Sequence, residues 1–93
     1  MGMFDSFYDA KGNEWQTKAL ACLQDSYRAG DTVPSAPLTH QMKVIGDHRL
    51  PDPWAYATIR DGCLESVPDK RDIRLPLLDY NGGWIAVGKG DIA

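Results

Sequence analysis

The residue types that bind zinc stand at four separated positions in this 93-residue chain, namely Cys22, His40, His48 and Cys63. A structural zinc site usually takes two ligands from one short loop, about two to five residues apart. None of the four residues stands that close to another in the sequence. Because only the fold could bring them together, we predict neither a metal site nor a cofactor.

A thiol-based reaction would use Cys63 as its nucleophile. Either histidine, His40 or His48, would then act as the base, oriented by Asp47 or Asp52. Such chemistry needs a pocket that residue types do not establish, and the position of Cys63 directly after an Asp-Gly turn is typical of a strand residue. We therefore predict that the chain is not an enzyme, and we keep a metal- or thiol-dependent small enzyme as the alternative.

Aromatic and basic residues indicate a binding surface. Residues 46–54 place a histidine, an arginine and a tryptophan on a loop that Pro51 and Pro53 stiffen. Trp and Arg are enriched at binding hot spots. Two further aromatic residues flank the glycine turn at 81–83, and exposed aromatic residues that lie together mark a protein-binding surface. The predicted site comprises His48, Arg49, Trp54, Tyr80 and Trp84. The alternative for Trp54 is that it begins a strand and packs inward.

Composition and charge exclude several classes of function. The chain is 43% hydrophobic and 25% charged, with a net charge of -3, which is typical of one folded domain over residues 1–93. No basic run is present to neutralise a phosphate backbone, so we do not expect nucleic-acid binding. No apolar run approaches membrane-spanning length, and no signal peptide is recognisable. Small secreted domains held by disulfides usually carry more than the two cysteines of this chain. We therefore expect a cytoplasmic protein without membrane insertion.

The opening MGMFDS matches the pattern for N-terminal myristoylation. That modification needs a mobile N-terminus, whereas Phe4, Phe7 and Tyr8 precede a Gly12-Asn13 turn and Trp15. We expect this segment to form the first strand of the domain.

The second half of the chain has the pattern of β hairpins. Residues 38–45 alternate between apolar and polar types, with Leu38, His40, Met42 and Val44 on one face. Residues 54–60 and 63–67 flank an Asp-Gly pair, which favours a two-residue turn. Residues 74–80 and 84–87 flank a second glycine turn. We predict a mainly β fold, a small antiparallel curved sheet or partly open barrel built from hairpins, whose unpaired edges favour a symmetric homodimer.

Residues 14–29 admit two interpretations. Asn13 with Gln16 can form a capping box, and Trp15, Ala19, Leu23 and Tyr27 share one helical face, with Gly30 as the terminal cap. Alternatively, residues 14–18 pair back on residues 4–8 as a hairpin. Local pattern alone slightly favours the helix.

A resemblance changes this weighting. The chain begins MGMFD, continues with Gln-Thr-Lys at 16–18 and a cysteine at 22, and contains Y-x-x-GD-x-V from Tyr27 to Val33. Over about its first third it resembles small uncharacterised proteins of bacteria and their phages. The resemblance implies a β hairpin over residues 4–18, and an α+β fold with a helix over 14–29 is kept as the alternative. Many of those proteins carry a Cys-x-x-Cys knuckle where residues 9–13 have no cysteine, so their metal site is not carried over.

A source in an actinobacteriophage such as a mycobacteriophage, or in a prophage, also suits the chain size, the compact β meander and the tail containing Gly88-Lys89-Gly90-Asp91. It then implies a small protein that binds and modulates a host protein in the host cytoplasm, and growth and division scaffolds of the DivIVA type are among the expected partners. The alternatives are the small enzyme described above and a structural subunit of a larger assembly.

Overall fold

The computed structural model describes residues 3–20, 24–35 and 37–85, and these form β strands, turns and loops without a helix. The strands are β1 (Asp5–Tyr8), β2 (Glu14–Thr17), β3 (Ser26–Tyr27), β4 (His40–Ile45), β5 (Trp54–Arg60), β6 (Cys63–Asp69), β7 (Leu77–Leu78) and β8 (Trp84–Ile85). The mainly β prediction is confirmed. The alternative helix over 14–29 is wrong for the described part of that range, because β2 and β3 occupy it. No helix of the described residues is long and apolar enough to cross a membrane.

The strands form one mixed sheet in the order β3-β1-β2-β4-β5-β6, with β7 paired to β4 and β8 paired to β7. The prediction of antiparallel pairing holds for the hairpins, but β1 pairs with β3 and β4 with β7 in parallel. Both parallel pairs arise because the chain returns to an earlier strand after a longer connection, which no hairpin signal in the sequence reveals.

Local turn chemistry explains the hairpins. In the β1–β2 turn the carboxylate of Asp9 accepts hydrogen bonds from the backbone N–H groups of Lys11 and Asn13. In the β5–β6 turn Asp61 and Gly62 have φ of 53° and 83°, the backbone that a two-residue primed turn requires. The predicted hairpin over 54–67 is therefore confirmed. The second predicted hairpin is shorter than expected, since only β7 and β8 pair among its described residues, and residues 86–87 lie outside them.

The sheet is not closed, but the segment that follows β3 contacts the outer strand β6. After β3 the chain crosses to β6, where the backbone N–H of Gly30 donates to the carbonyl of Leu64 and the N–H of Leu64 donates to the carbonyl of Asp31. An isolated bridge joins Thr32 to Cys63. This arrangement agrees with the partly open barrel that we predicted.

The two faces of the sheet differ in burial, and we call them the inner and the outer face. His40, Met42 and Val44 on the inner face are completely buried, as their alternation predicts, whereas Leu38 precedes the strand and is exposed. Directly paired residues share a face, so Lys43 lies beside Tyr56, and Ile45 lies between Gln16 and Trp54 on the outer face. The outer face is therefore the one that presents aromatic side chains between β2 and β5.

Candidate functional site

The candidate site is centred on two aromatic rings of the outer face. Trp54 begins β5 and meets the ring of Tyr80 edge to face, with centroids 5.5 Å apart and planes at 88°. The Trp54 side chain remains 43% exposed. The backbone N–H of Lys18, directly after β2, donates to the carbonyl of Tyr80 at 3.0 Å. Three segments of the chain thus hold this aromatic pair in place.

A cation completes this group of side chains. The Nζ atom of Lys43 lies 4.7 Å from the centroid of the Trp54 ring, within the range of a cation–π contact. Lys43 stands one position before Val44 in β4, so its stem lies on the outer face beside Tyr56. We call Lys43, Trp54 and Tyr80 the Trp54 cluster. It combines a flat apolar surface with one positive charge, which is the chemistry of many protein-binding hot spots.

An open cleft of about 1300 Å³ extends from Tyr80 toward the loop that follows β4. Trp15 lies in this cleft, and its ring covers Gly46 so closely that a β-carbon at residue 46 would lie 2.6 Å from the ring. The predicted residues His48 and Arg49 line the cleft together with Tyr80. The structure therefore brings His48, Arg49 and Tyr80 to one cleft, and Trp54 contacts its Tyr80 wall.

The loop that carries His48 and Arg49 is organised by Asp47. The Asp47 carboxylate accepts hydrogen bonds from the guanidinium of Arg49, the shortest at 2.6 Å, and from the Arg49 backbone N–H. The guanidinium holds the pKa of Asp47 well below its usual range. His48 is highly exposed, with Nδ1 3.8 Å from the same carboxylate. Arg49 thus forms an exposed ion pair with Asp47.

Trp84 does not join the Trp54 cluster, although the sequence predicts one patch containing both tryptophans. In β8 Trp84 pairs with Leu78, which in turn pairs with Met42 on the inner face. Its ring packs against His40, with centroids 5.4 Å apart, and remains half exposed. The register of these strands therefore places Trp54 and Trp84 on opposite faces of the sheet.

A second group of side chains surrounds His40 and was not predicted. The Ser35 hydroxyl lies 3.0 Å from Nε2 of His40, and the carbonyl oxygen of Pro37 lies 2.6 Å from Nδ1. His40 is completely buried, and burial lowers its pKa below the usual value even though the bond to Pro37 opposes the shift. The sequence signal for this group is the position of Ser35, five residues before His40, with Pro37 between them.

The same contacts contradict the hypothesis of a Cys63–His40 pair. Both ring nitrogens of His40 are engaged by Ser35 and Pro37, and Cys63 is a free, half-buried thiol of β6 that pairs with Arg60. His48, the other predicted base, lies on the exposed loop beside Asp47. Among the described residues, no three His, Cys, Asp or Glu side chains come together as a metal site requires, and Cys22 lies outside those residues.

Comparison with known proteins gives little further information. No protein-family model matches the chain, and no solved structure matches it significantly. The chain is 25% identical over 88 residues to the sulfite reductase (NADPH) flavoprotein alpha-component of Photobacterium profundum. The match covers 94% of this chain, which spans only 14% of the length of that protein.

Proposed function

We propose that this protein acts by binding another protein through the Trp54 cluster and the adjoining cleft. The observation that carries the proposal is the exposed Trp54 ring, which contacts both the ring of Tyr80 and the ammonium group of Lys43. A large apolar side chain that is already fixed loses little conformational entropy when a partner covers it, so most of its buried area contributes to affinity. The half-buried Ile45 beside it extends the apolar surface.

The partner that we propose is a host protein in the cytoplasm, modulated by a phage or prophage product. The resemblance of the first third of the chain to small bacterial and phage proteins supports this proposal. Growth and division scaffolds of the DivIVA type are the first candidates to examine. A symmetric homodimer stays a prediction.

The test compares two tryptophans of similar exposure on opposite faces. Trp54 is 43% exposed and Trp84 is 48% exposed. A photo-reactive phenylalanine analogue at residue 54, introduced in living cells, should cross-link a host protein that the same analogue at residue 84 does not. The captured protein is then purified, and its Kd is measured with the native chain and with Trp54→Ala and Trp84→Ala.

We expect Trp54→Ala to raise the Kd by roughly 30-fold, the loss of about 2 kcal/mol that defines a hot spot. Trp84→Ala should change the Kd by less than about threefold once its folded fraction is taken into account, because its ring faces the other side of the sheet. Equal loss of affinity in the two variants, or cross-linking from residue 84 alone, would contradict the proposed surface.

A further inference from the structure

We propose that Ser35 and His40 form a nucleophile–base pair, in which Ser35 accepts an acyl group from an activated ester. Three groups are aligned in the way that serine nucleophiles require, namely a hydroxyl, an imidazole within 3.0 Å of it, and an acceptor that orients the imidazole. Here the orienting acceptor is the backbone carbonyl of Pro37, where many serine enzymes use a carboxylate. This inference is independent of the proposed binding surface.

The hydrogen bonds determine which nitrogen carries the proton. A carbonyl oxygen only accepts, so Nδ1 of His40 must be the donor to Pro37. In the neutral imidazole Nε2 is then an acceptor, and it receives the hydroxyl proton of Ser35. Burial favours this neutral ring at pH 7, because it lowers the pKa of His40. The nitrogen that faces Ser35 is therefore an unprotonated base.

Packing holds the base still while the nucleophile stays accessible. His40 is the first residue of β4, pairs with Ile59 of β5, and contacts the ring of Trp84. It is completely buried, whereas Ser35 is partly exposed. Ser35 is therefore the member of the pair that is exposed to solvent.

The reaction follows from this arrangement. The Ser35 Oγ atom attacks the carbonyl carbon of the ester, and its proton moves to Nε2 of His40. When the carbon–oxygen bond to the leaving group breaks, Nε2 returns the proton to the leaving alcohol, and an ester remains on Ser35. Water attacks that ester in the same way, so the net reaction is ester plus water to carboxylic acid plus alcohol, with Ser35 regenerated.

The experiment uses 4-nitrophenyl acetate with the native chain, and follows nitrophenolate release together with the intact mass and peptide map. We expect acetylation at Ser35. Ser35→Ala should remove this labelled peptide, and it should preserve the fold because Ser35 lies in a partly exposed loop. Ser26→Ala, which changes an exposed serine of β3, is the matched control and should leave the labelling unchanged.

His40→Gln tests the base. We expect labelling of Ser35 to fall by about 100-fold or more, the usual contribution of a general base. Should His40→Gln fail to fold, labelling of the native chain by a fluorophosphonate at Ser35, absent in Ser35→Ala, provides the second measurement. Acetylation confined to lysines, or equal nitrophenolate release by Ser35→Ala, would overturn the proposal. Labelling of Ser35 and the Kd for a partner are separate measurements, so failure here and failure of the binding surface are distinguishable.

Discussion

Trp54 and Tyr80 meet edge to face, with ring centroids 5.5 Å apart, although they belong to different hairpins. The contact links the start of β5 to the turn after β7, and the turn is itself held by the backbone of Lys18. The orientation of the exposed indole therefore depends on residues from distant parts of the chain.

Tyr80 should position Trp54 for binding. Tyr80→Ala removes the ring contact, which is worth about 1 kcal/mol for an aromatic pair, and should weaken partner binding by roughly fivefold. Tyr80→Phe is the matched control, since it keeps the ring and should retain affinity. The measurement is the Kd by titration calorimetry. If the Phe variant lost as much affinity as the Ala variant, the hydroxyl and not the ring contact would be the important feature.

Gly46 should be required for the packing of Trp15. A β-carbon at residue 46 would lie 2.6 Å from the Trp15 ring, which is buried and whose Nε1–H donates to Asp9. Gly46→Ala should therefore reduce the free energy of unfolding by about 1–3 kcal/mol, the usual cost of overpacking. Urea titration monitored by circular dichroism measures the change.

Gly83→Ala is the control for that experiment. A β-carbon at residue 83 would have no atom within 4 Å apart from those of its chain neighbours, and Gly83 does not have a positive φ, so alanine there should change stability by less than about 0.5 kcal/mol. A similar loss in both variants would point to backbone flexibility, and would contradict the steric explanation at Gly46.

The features that could be predicted from the sequence are the local ones. The Asp61-Gly62 turn and the buried alternation of His40, Met42 and Val44 depend on neighbours along the chain, and both are present. The separation of Trp54 from Trp84 depends on the register of β8 against β7 and of β7 against β4, which is set by contacts distant in sequence. Residue types alone could therefore identify both tryptophans as candidate binding residues, but they could not show on which face of the sheet each one lies.

Gln41 shows the same limit and leads to another prediction. Alternation places it on a polar, solvent-facing side, yet it is 1% exposed, because residues 69–72 cover this part of the outer face. Its amide donates to Thr58 Oγ1 at 3.1 Å and to the Lys70 carbonyl at 2.8 Å, while its carbonyl accepts from the backbone N–H of Asp72 at 2.7 Å. One side chain thus ties the segment after β6 to the sheet.

Gln41→Leu should remove the hydrogen bonds to the Lys70 carbonyl and the Asp72 N–H, whereas Thr58 Oγ1 keeps its bond to Asp69. We expect the free energy of unfolding to fall by about 1–3 kcal/mol, since each hydrogen bond lost contributes about 1 kcal/mol net. Gln16→Leu, at a half-buried position of the same face in β2, is the control and should have a much smaller effect. Amide hydrogen exchange should also accelerate at Asp72 in the Gln41 variant. Unchanged protection at Asp72 would contradict the tethering role.

Stability should depend on pH through His40. Burial lowers the pKa of His40 in the folded chain below the value of 6.5 expected when it is unfolded. As the pH falls below about 6.5, the unfolded chain binds a proton that the folded chain does not, so the free energy of unfolding decreases until the folded pKa is passed. The stability that comes from keeping His40 neutral is fully present above pH 6.5. Urea titrations between about pH 7.5 and about pH 5 measure it, and His40→Gln, which cannot titrate, should show a flatter profile. An equal slope in the native and variant proteins would assign the pH dependence to other groups.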